Sequence, residues 1–174
     1  MLVRQATIDD AESIAQVHVR SWQETYPDLL PESFLNSLSV PKRLPLWMEI
    51  LSNSAAARHL CVALDRQGGV CGFAHIGPSR DAAMSGMLEL YAIYVLQKDQ
   101  GRGVGREMLR WLAQSCAQHA PSPHRVYAWV LRGNKSAGWY QRIGGRRVDE
   151  KPITIADSSL WEDAYAFWLG STQS

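Results

Sequence analysis

Apolar residues recur with two different periods along this 174-residue chain, and the period changes near residue 59. Leu2-Val3-Arg4-Gln5-Ala6 alternates and predicts a first strand. Thr7-Ile8-Asp9-Asp10 then has the chemistry of a helix start, with Thr7 as N-cap and carboxylates in the first turn. Ala11, Ile14, Ala15, His18 and Trp22 share one helical face, which predicts a helix reaching Gln23 and makes His18 a core histidine. Pro27 and Leu29-Leu30-Pro31 break it. Glu32–Leu38 and Lys42–Leu51 predict two further short helices, the second opened by Pro41 and bent near Pro45.

Beyond residue 59 the pattern becomes that of strands alternating with helices. His59–Leu64 and Val70–Ile76 read as strands around the hairpin connection Asp65-Arg66-Gln67-Gly68-Gly69. Pro78–Ser85 is small and polar, the composition of a mobile loop. The run 88–95 predicts a strand, and a helix follows from Gly103 to His119 with Val104, Met108, Leu109, Leu112 and Cys116 on one face. Pro121-Ser122-Pro123 closes the next connection, and Arg125–Leu131 predicts another strand. A short helix over 136–143 is stopped by Gly144-Gly145. Arg146–Ile153 and Asp163–Leu169 are the closing strands, joined by a polar loop at Ala156–Glu162, and Ser171 to Ser174 are expected to fray. With no internal repeat, low-complexity stretch or linker, the chain reads as a single α/β domain.

Composition narrows the function classes. Hydrophobic residues at 46% and charged residues at 20% are ordinary for a globular protein. A net charge of +1 lacks the basic excess that nucleic acid or an anionic membrane surface calls for, so neither is expected as a partner. No apolar run reaches the roughly 18 residues of a membrane span, and the N-terminus lacks an export signal, so a cytoplasmic protein is expected. Cys61, Cys71 and Cys116 form no Cys-x-x-Cys pair and are read as reduced, with Cys61 and Cys71 on adjacent hairpin strands. The five histidines show no ligand spacing, so no metal is expected.

Candidate chemistry concentrates at Gln100-Gly101-Arg102-Gly103-Val104-Gly105-Arg106, between the 88–95 strand and the following helix. Backbone N–H groups at a helix start, unobstructed by side chains and aided by the helix dipole, make an anion cradle. A P-loop is excluded because Gly105 precedes Arg106 and Glu107 rather than Lys and Ser or Thr. The dinucleotide fingerprint is excluded because position 106 is Arg. Taken alone, the turn also fits an ordinary strand-to-helix connection. Downstream, the strand Val126–Leu131 is followed by Asn134, Ala137, Trp139-Tyr140 and Gly144. Together these segments resemble the GNAT superfamily of acyl-CoA-dependent N-acetyltransferases. Gln100, Gly103 and Gly105 match its Gln/Arg-x-x-Gly-x-Gly/Ala signature, and Asn134, Ala137, Trp139-Tyr140 and Gly144 match its second. The resemblance runs from about residue 70 to 169 and is diffuse over 1–60.

The resemblance implies a mixed central sheet of about seven strands flanked by helices and splayed between the fourth and fifth strands. Within the single domain 1–174, residues 1–60 would supply a strand and acceptor-side helices, and 86–145 the acyl-CoA-binding core. The implied co-substrate is acetyl-CoA. Tyr94 and Val95 would meet its pantetheine arm through main chain, and Gly101, Arg102, Gly103, Val104, Gly105 and Arg106 its pyrophosphate, with Gln100 and Ala137 at motif positions. Gly103 and Gly105 would keep Cβ atoms away from the phosphate oxygens. Asn134 would orient the pantetheine amides or cap the short helix.

The implied reaction transfers acetyl from a thioester to a primary amine of a small molecule or peptide. An amine with a pKa of about 10.4 is almost wholly protonated at neutral pH, so a base is useful. Glu89 on the cofactor strand is the candidate, provided burial raises its pKa or water relays the proton. Tyr140 is the candidate acid toward the leaving thiolate. Trp22, Glu24 and Tyr26, with the loops at 78–86 and 156–162, would contact the acceptor. Two other readings stay open: a non-catalytic acyl-CoA-binding or regulatory module, and a protein N-terminal or lysine acetyltransferase. Oligomeric state is open too, with a homodimer the form the resemblance suggests.

Overall fold

A capping box starts the first helix: the Thr7 amide donates to Asp10 Oδ2 at 2.8 Å, and Arg4 holds the buried Asp10 carboxylate at 2.7 and 2.8 Å. The structure is a computed structural model that describes residues 2–119 and 124–170. The Pro121-Ser122-Pro123 connection and the Ser171–Ser174 tail lie outside the described residues. Strand β1 (Leu2–Gln5) leads through the cap to helix α1 (Ala11–Thr25), two residues longer than its apolar stripe predicts. Then come α2 (Glu32–Ser37), α3 (Val40–Ser52) and α4 (Ser54–Ala57). Helix α3 runs through Pro45, and α4 is a single turn that Asn53 caps and that sequence periodicity is too short to reveal. The rest of the chain is β2 (Leu60–Leu64), β3 (Val70–Pro78), β4 (Leu88–Val95), α5 (Val104–Ala117), β5 (His124–Leu131), α6 (Ala137–Arg142), β6 (Arg146–Ile155) and β7 (Ser158–Leu169).

The strands form one seven-stranded mixed sheet in the order β1-β2-β3-β4-β5-β7-β6, with the β4–β5 pair parallel and the other neighbours antiparallel. Helix α5 covers one face, where Val104, Met108, Leu112 and Cys116 meet Ala74, Leu90, Val126 and Val130. The other face carries α1 and α3, through Ile14, Ala15 and Trp47 against Leu60, Val62 and Phe73. Side chains as completely buried as Met108, Leu112 and Ile14 each contribute about 1.5–3 kcal/mol. Both faces of β4 are covered, which is why its sequence is a nearly continuous apolar run. Cys61 pairs with Ala74 rather than with Cys71. All three cysteines are free and buried, and burial pushes the Cys61 thiol up to about 12 and the Cys116 thiol up to about 11.

The parallel pair parts almost at once. Leu88 faces Val126 and Glu89 faces Tyr127, and from Leu90 onward β4 pairs only with β3 while β5 pairs only with β7. A bulge accompanies the separation: Ile76 opposes Leu90 and His75 opposes Ala92, leaving Tyr91 as the extra residue. Gly77 makes room for it, since a Cβ there would lie 2.6 Å from Tyr91 Oη.

Two loop expectations are corrected. The segment Ala156–Glu162 is not a loop, because β7 begins at Ser158 and the turn is only Ala156-Asp157, at φ 48° and 63°. A two-residue hairpin turn demands positive φ at both positions, usually signalled by Asn-Gly, and Ala-Asp hides it. The 79–86 segment contains a helical turn at Ala82–Met84, capped by Asp81, with Met84 buried.

Candidate active site

The glycine-rich turn takes its shape from backbone conformations that side chains disfavour. Gly101 and Gly103 have φ 73° and 82°, and a Cβ on either would meet nothing within 4 Å. Among the described residues, the amides of Gly101 through Arg106 find no protein acceptor, so they converge on open space at the positive end of α5. Gln100 braces the turn by donating from Nε2 to the Val95 carbonyl at 2.9 Å. Arg102 and Arg106 are exposed beside it, with Arg102 Nη1 3.5 Å from Asp99 Oδ1. At Gly105 a second reason is visible: its Cβ would fall 2.9 Å from Trp139 Cζ2, so α6 packing against the first turn of α5 also requires this glycine.

Tyr140 lies on α6, buried and stacked on Tyr165 at 5.8 Å between ring centroids, with Trp139 edge-on at 5.0 Å. Burial raises its phenol well above the ordinary tyrosine range, and Tyr94 adds to the shift. Just ahead of α6, Asn134 Oδ1 accepts from the Ser136 amide at 2.8 Å, the helix-lead role, and Nδ2 donates to Tyr26 Oη at 3.4 Å. Ala137, the first residue of α6, packs against the α5-side core.

Trp22, Glu24 and Tyr26 are brought together, but their polar atoms are spent on the scaffold. Trp22 Nε1 donates to Tyr94 Oη at 2.9 Å, and His18 stacks on the Tyr94 ring at 5.3 Å. Trp47 Nε1 donates to His18 Nδ1 at 3.2 Å, and burial, with Arg43 nearby, pushes His18 down to about 4. Glu24 accepts from Arg20 Nε and from the Gln97 amide, both at 2.8 Å. It thereby caps the helical turn Gln97–Asp99 that leads into the glycines. These contacts fasten α1 to β4, where Tyr94 pairs with Phe73 and Val95 with Gly72 of β3.

On the sheet face away from α5, Glu89 is buried where β4 and β5 part. Its Oε2 accepts from the Arg80 amide at 2.9 Å and from Tyr127 Oη at 3.0 Å, and its Oε1 from Arg80 Nη2 at 2.5 Å. Burial favours the neutral acid, but the Arg80 bonds prevail and hold the carboxyl below the usual range. Of the two conditions for a Glu89 base, the raised pKa is not met, and the 79–86 segment is tied down at Arg80 and by a 2.9 Å hydrogen bond between Ser79 Oγ and Tyr127 Oη. Tyr127 escapes sequence reasoning because only the cross-strand register puts it opposite Glu89.

Beside this pair sits a lysine that sequence reasoning also missed. Lys151 Nζ lies 3.9 Å from the Trp129 ring centroid, 3.4 Å from Asp81 Oδ2 and 3.5 Å from Glu162 Oε1. Burial raises the Glu162 carboxyl, with Lys151 opposing the shift. Asp81 and Glu162 fell within segments read as loops, which concealed their convergence. Among the described residues, no group of three or more His, Cys, Asp or Glu could hold a metal ion, and no helix is long and apolar enough to cross a membrane.

Comparisons with known proteins agree with this geometry. A family model described as an acetyltransferase (GNAT) domain matches residues 56–144. The uncharacterized N-acetyltransferase YuaI of Bacillus subtilis (strain 168) is 38% identical over 160 residues, covering 92% of this chain and 88% of that protein. The PaiA N-acetyltransferase of Thermoplasma acidophilum, solved in complex with coenzyme A, superposes with a TM-score of 0.69 at 18% identity, over 94% of this chain and 98% of that one. YncA of Salmonella typhimurium, solved with acetyl-CoA, gives 0.68 at 18% identity, over 99% and 96%. At these identities the two structures speak to the fold.

Proposed function

The chain belongs to the GNAT acetyltransferase family and is an acyltransferase, and from that premise we propose that it moves an acetyl group from acetyl-CoA to a primary amine of a small molecule or peptide by direct attack in a ternary complex. The observation that carries this reading is the juxtaposition of two features. One is a glycine turn whose amides from Gly101 through Arg106 lack protein acceptors, and the other is the gap that opens between β4 and β5 after Glu89 and Tyr127. The residues fit the co-substrate: the turn suits a diphosphate, and the β4 edge that β5 leaves unpaired from Leu90 onward offers hydrogen bonds to the pantetheine amides. The coenzyme A and acetyl-CoA found in the PaiA and YncA structures support the same choice.

The ammonium gives one proton to solvent, the neutral amine attacks the thioester carbonyl and a C–N bond forms; the adduct's nitrogen loses a second proton to solvent as the C–S bond breaks and the sulfur takes the bonding pair as a thiolate. Making the amine neutral at pH 7 costs about 4–5 kcal/mol, and holding it beside the thioester offsets much of that. Tyr140 acts on the departing sulfur. Full proton transfer from a phenol to a thiolate is uphill by about 2 kcal/mol in water, and burial of Tyr140 enlarges the gap. Tyr140 therefore donates a hydrogen bond to the thiolate and keeps its proton. Glu89, ionised and occupied by Arg80 and Tyr127, anchors the 79–86 segment over the acceptor side in this reading, a poor situation for a general base.

An amine library screened for coenzyme A release from acetyl-CoA tests the reaction, and Tyr140→Phe tests its chemistry. The variant is expected to lose about 100-fold in kcat with coenzyme A affinity nearly unchanged. Full turnover of an identified amine by Tyr140→Phe would remove Tyr140 from the mechanism.

A further inference from the structure

Lys151 occupies what chemistry would choose as a receptor for an ammonium group, and it does so at the mouth of the gap. Tyr127 is the last β5 residue paired with β4. Trp129, two residues on, projects from the same sheet face, the one opposite α5. The face of an indole ring and a pair of carboxylates attract a compact cation. Charge balance favours a cation there as well: Arg80 is ion-paired with Glu89, its field and that of Glu89 act on Glu162 in opposite directions, and Lys151 is the cation that pairs with Asp81 and Glu162. The lysine fits loosely. Its 3.4 and 3.5 Å approaches to Asp81 and Glu162 exceed the roughly 2.7–2.9 Å of a good charge-assisted hydrogen bond. An ammonium free of a strand tether could approach more closely, with its carbon chain on the half-buried surfaces of Trp129 and Met87.

We propose that Trp129, Asp81 and Glu162 form the seat for the ammonium group of a primary alkylamine acceptor, and that Lys151 fills this seat from within the chain until the acceptor displaces it. The inference rests on the acetyl-transfer reading, since it assigns that reaction's second substrate a place. The displaced Lys151 has somewhere to go, because its side chain is already 40% exposed. Glu162, whose burial raises its affinity for protons, is also placed to take the proton the ammonium must lose before attack.

The test measures binding and so does not depend on turnover. n-Butylammonium is titrated by calorimetry into the coenzyme A complex of the wild type and of Lys151→Met, which keeps the stem on Trp129 but removes the competing charge. A tethered competitor acts at millimolar effective concentration, so Lys151→Met is expected to bind the probe about tenfold more tightly. Adding Glu162→Gln should abolish that gain. Equal or weaker binding by Lys151→Met overturns the proposal, as does a gain that survives Glu162→Gln. A second measurement uses the wild type alone: n-butylammonium should raise acylation of Lys151 relative to the exposed Lys42 in the same sample several-fold, a ratio that cancels the amine-reactive ester the probe itself consumes; it is read by mass spectrometry, and an unchanged ratio refutes displacement. A tighter Lys151→Met with no amine acetylated by the wild type would retain the seat and reject the transfer reading. Acetylation of amines without either binding effect would do the reverse.

Discussion

Gly103 and Gly105 stand two residues apart in one motif and are glycines for different physical reasons. Gly103 is the left-handed N-cap of α5 with open space where a side chain would be, whereas Gly105 is hemmed in by Trp139. A β-branched residue at Gly103 would meet a backbone strain of about 1–3 kcal/mol and place its Cβ in the space reserved for the diphosphate. Gly103→Val is therefore expected to weaken coenzyme A binding by tenfold or more in calorimetry, and an unaltered affinity would discredit the cradle. Gln100 and Gly103 could be singled out in the sequence because strand, glycine-rich turn and helix follow one another within a few residues, and Asn134 and Tyr140 because their spacing matched the motif of the family that the chain resembles. Tyr127, Trp129, Lys151 and Glu162 were not legible, because strands distant in sequence converge on one face only once the register is set.

At the scale of elements, the runs with strong periodicity were predicted almost residue for residue, β4 and α5 above all, while the first residues of β7, Ser158–Glu162, were read as part of a loop. Ala156-Asp157 is an unmarked turn, and nothing local separates Ser-Ser-Leu-Trp-Glu from a polar connection until Ile153 and Ile155 pack with Leu160. The bond between α1 and β4 was only half visible. His18 was correctly placed in the core, but its stacking on Tyr94 and its bond from Trp47 could not be foreseen. That contact has a pH signature. Native His18 titrates near 4 instead of its ordinary 6.5, so between those values the unfolded chain binds a proton that the native state refuses. Stability from this group is complete above 6.5 and falls as the pH drops toward 4, because burial, and then Arg43, disfavour the imidazolium, and protonation at Nδ1 also forfeits the Trp47 bond. Between about pH 7 and about pH 5 the loss amounts to about 2 kcal/mol. Urea unfolding across that range should show the slope in the wild type and a flattened one in His18→Gln. An identical slope in both would contradict the assignment.

For the molecule as a whole, the proposed reading has one sheet serving two substrates from its two sides. The α5 side and the gap between β4 and β5 suit a long, anionic nucleotide with a flexible arm. The opposite side gathers Glu89, Tyr127, Trp129 and Glu162 into a carboxylate-rich cluster, the side proposed for the amine. The parallel pairing that ends after Glu89 and Tyr127, with a bulge at Tyr91, is what opens the sheet between the two sides. The most direct measurement is a crystal structure of the protein with coenzyme A. The diphosphate is predicted within hydrogen-bond distance of the Gly101–Arg106 amides, with the arm lying against Leu90–Val95. A nucleotide bound elsewhere, or β4 and β5 zipped together along their length, would contradict it.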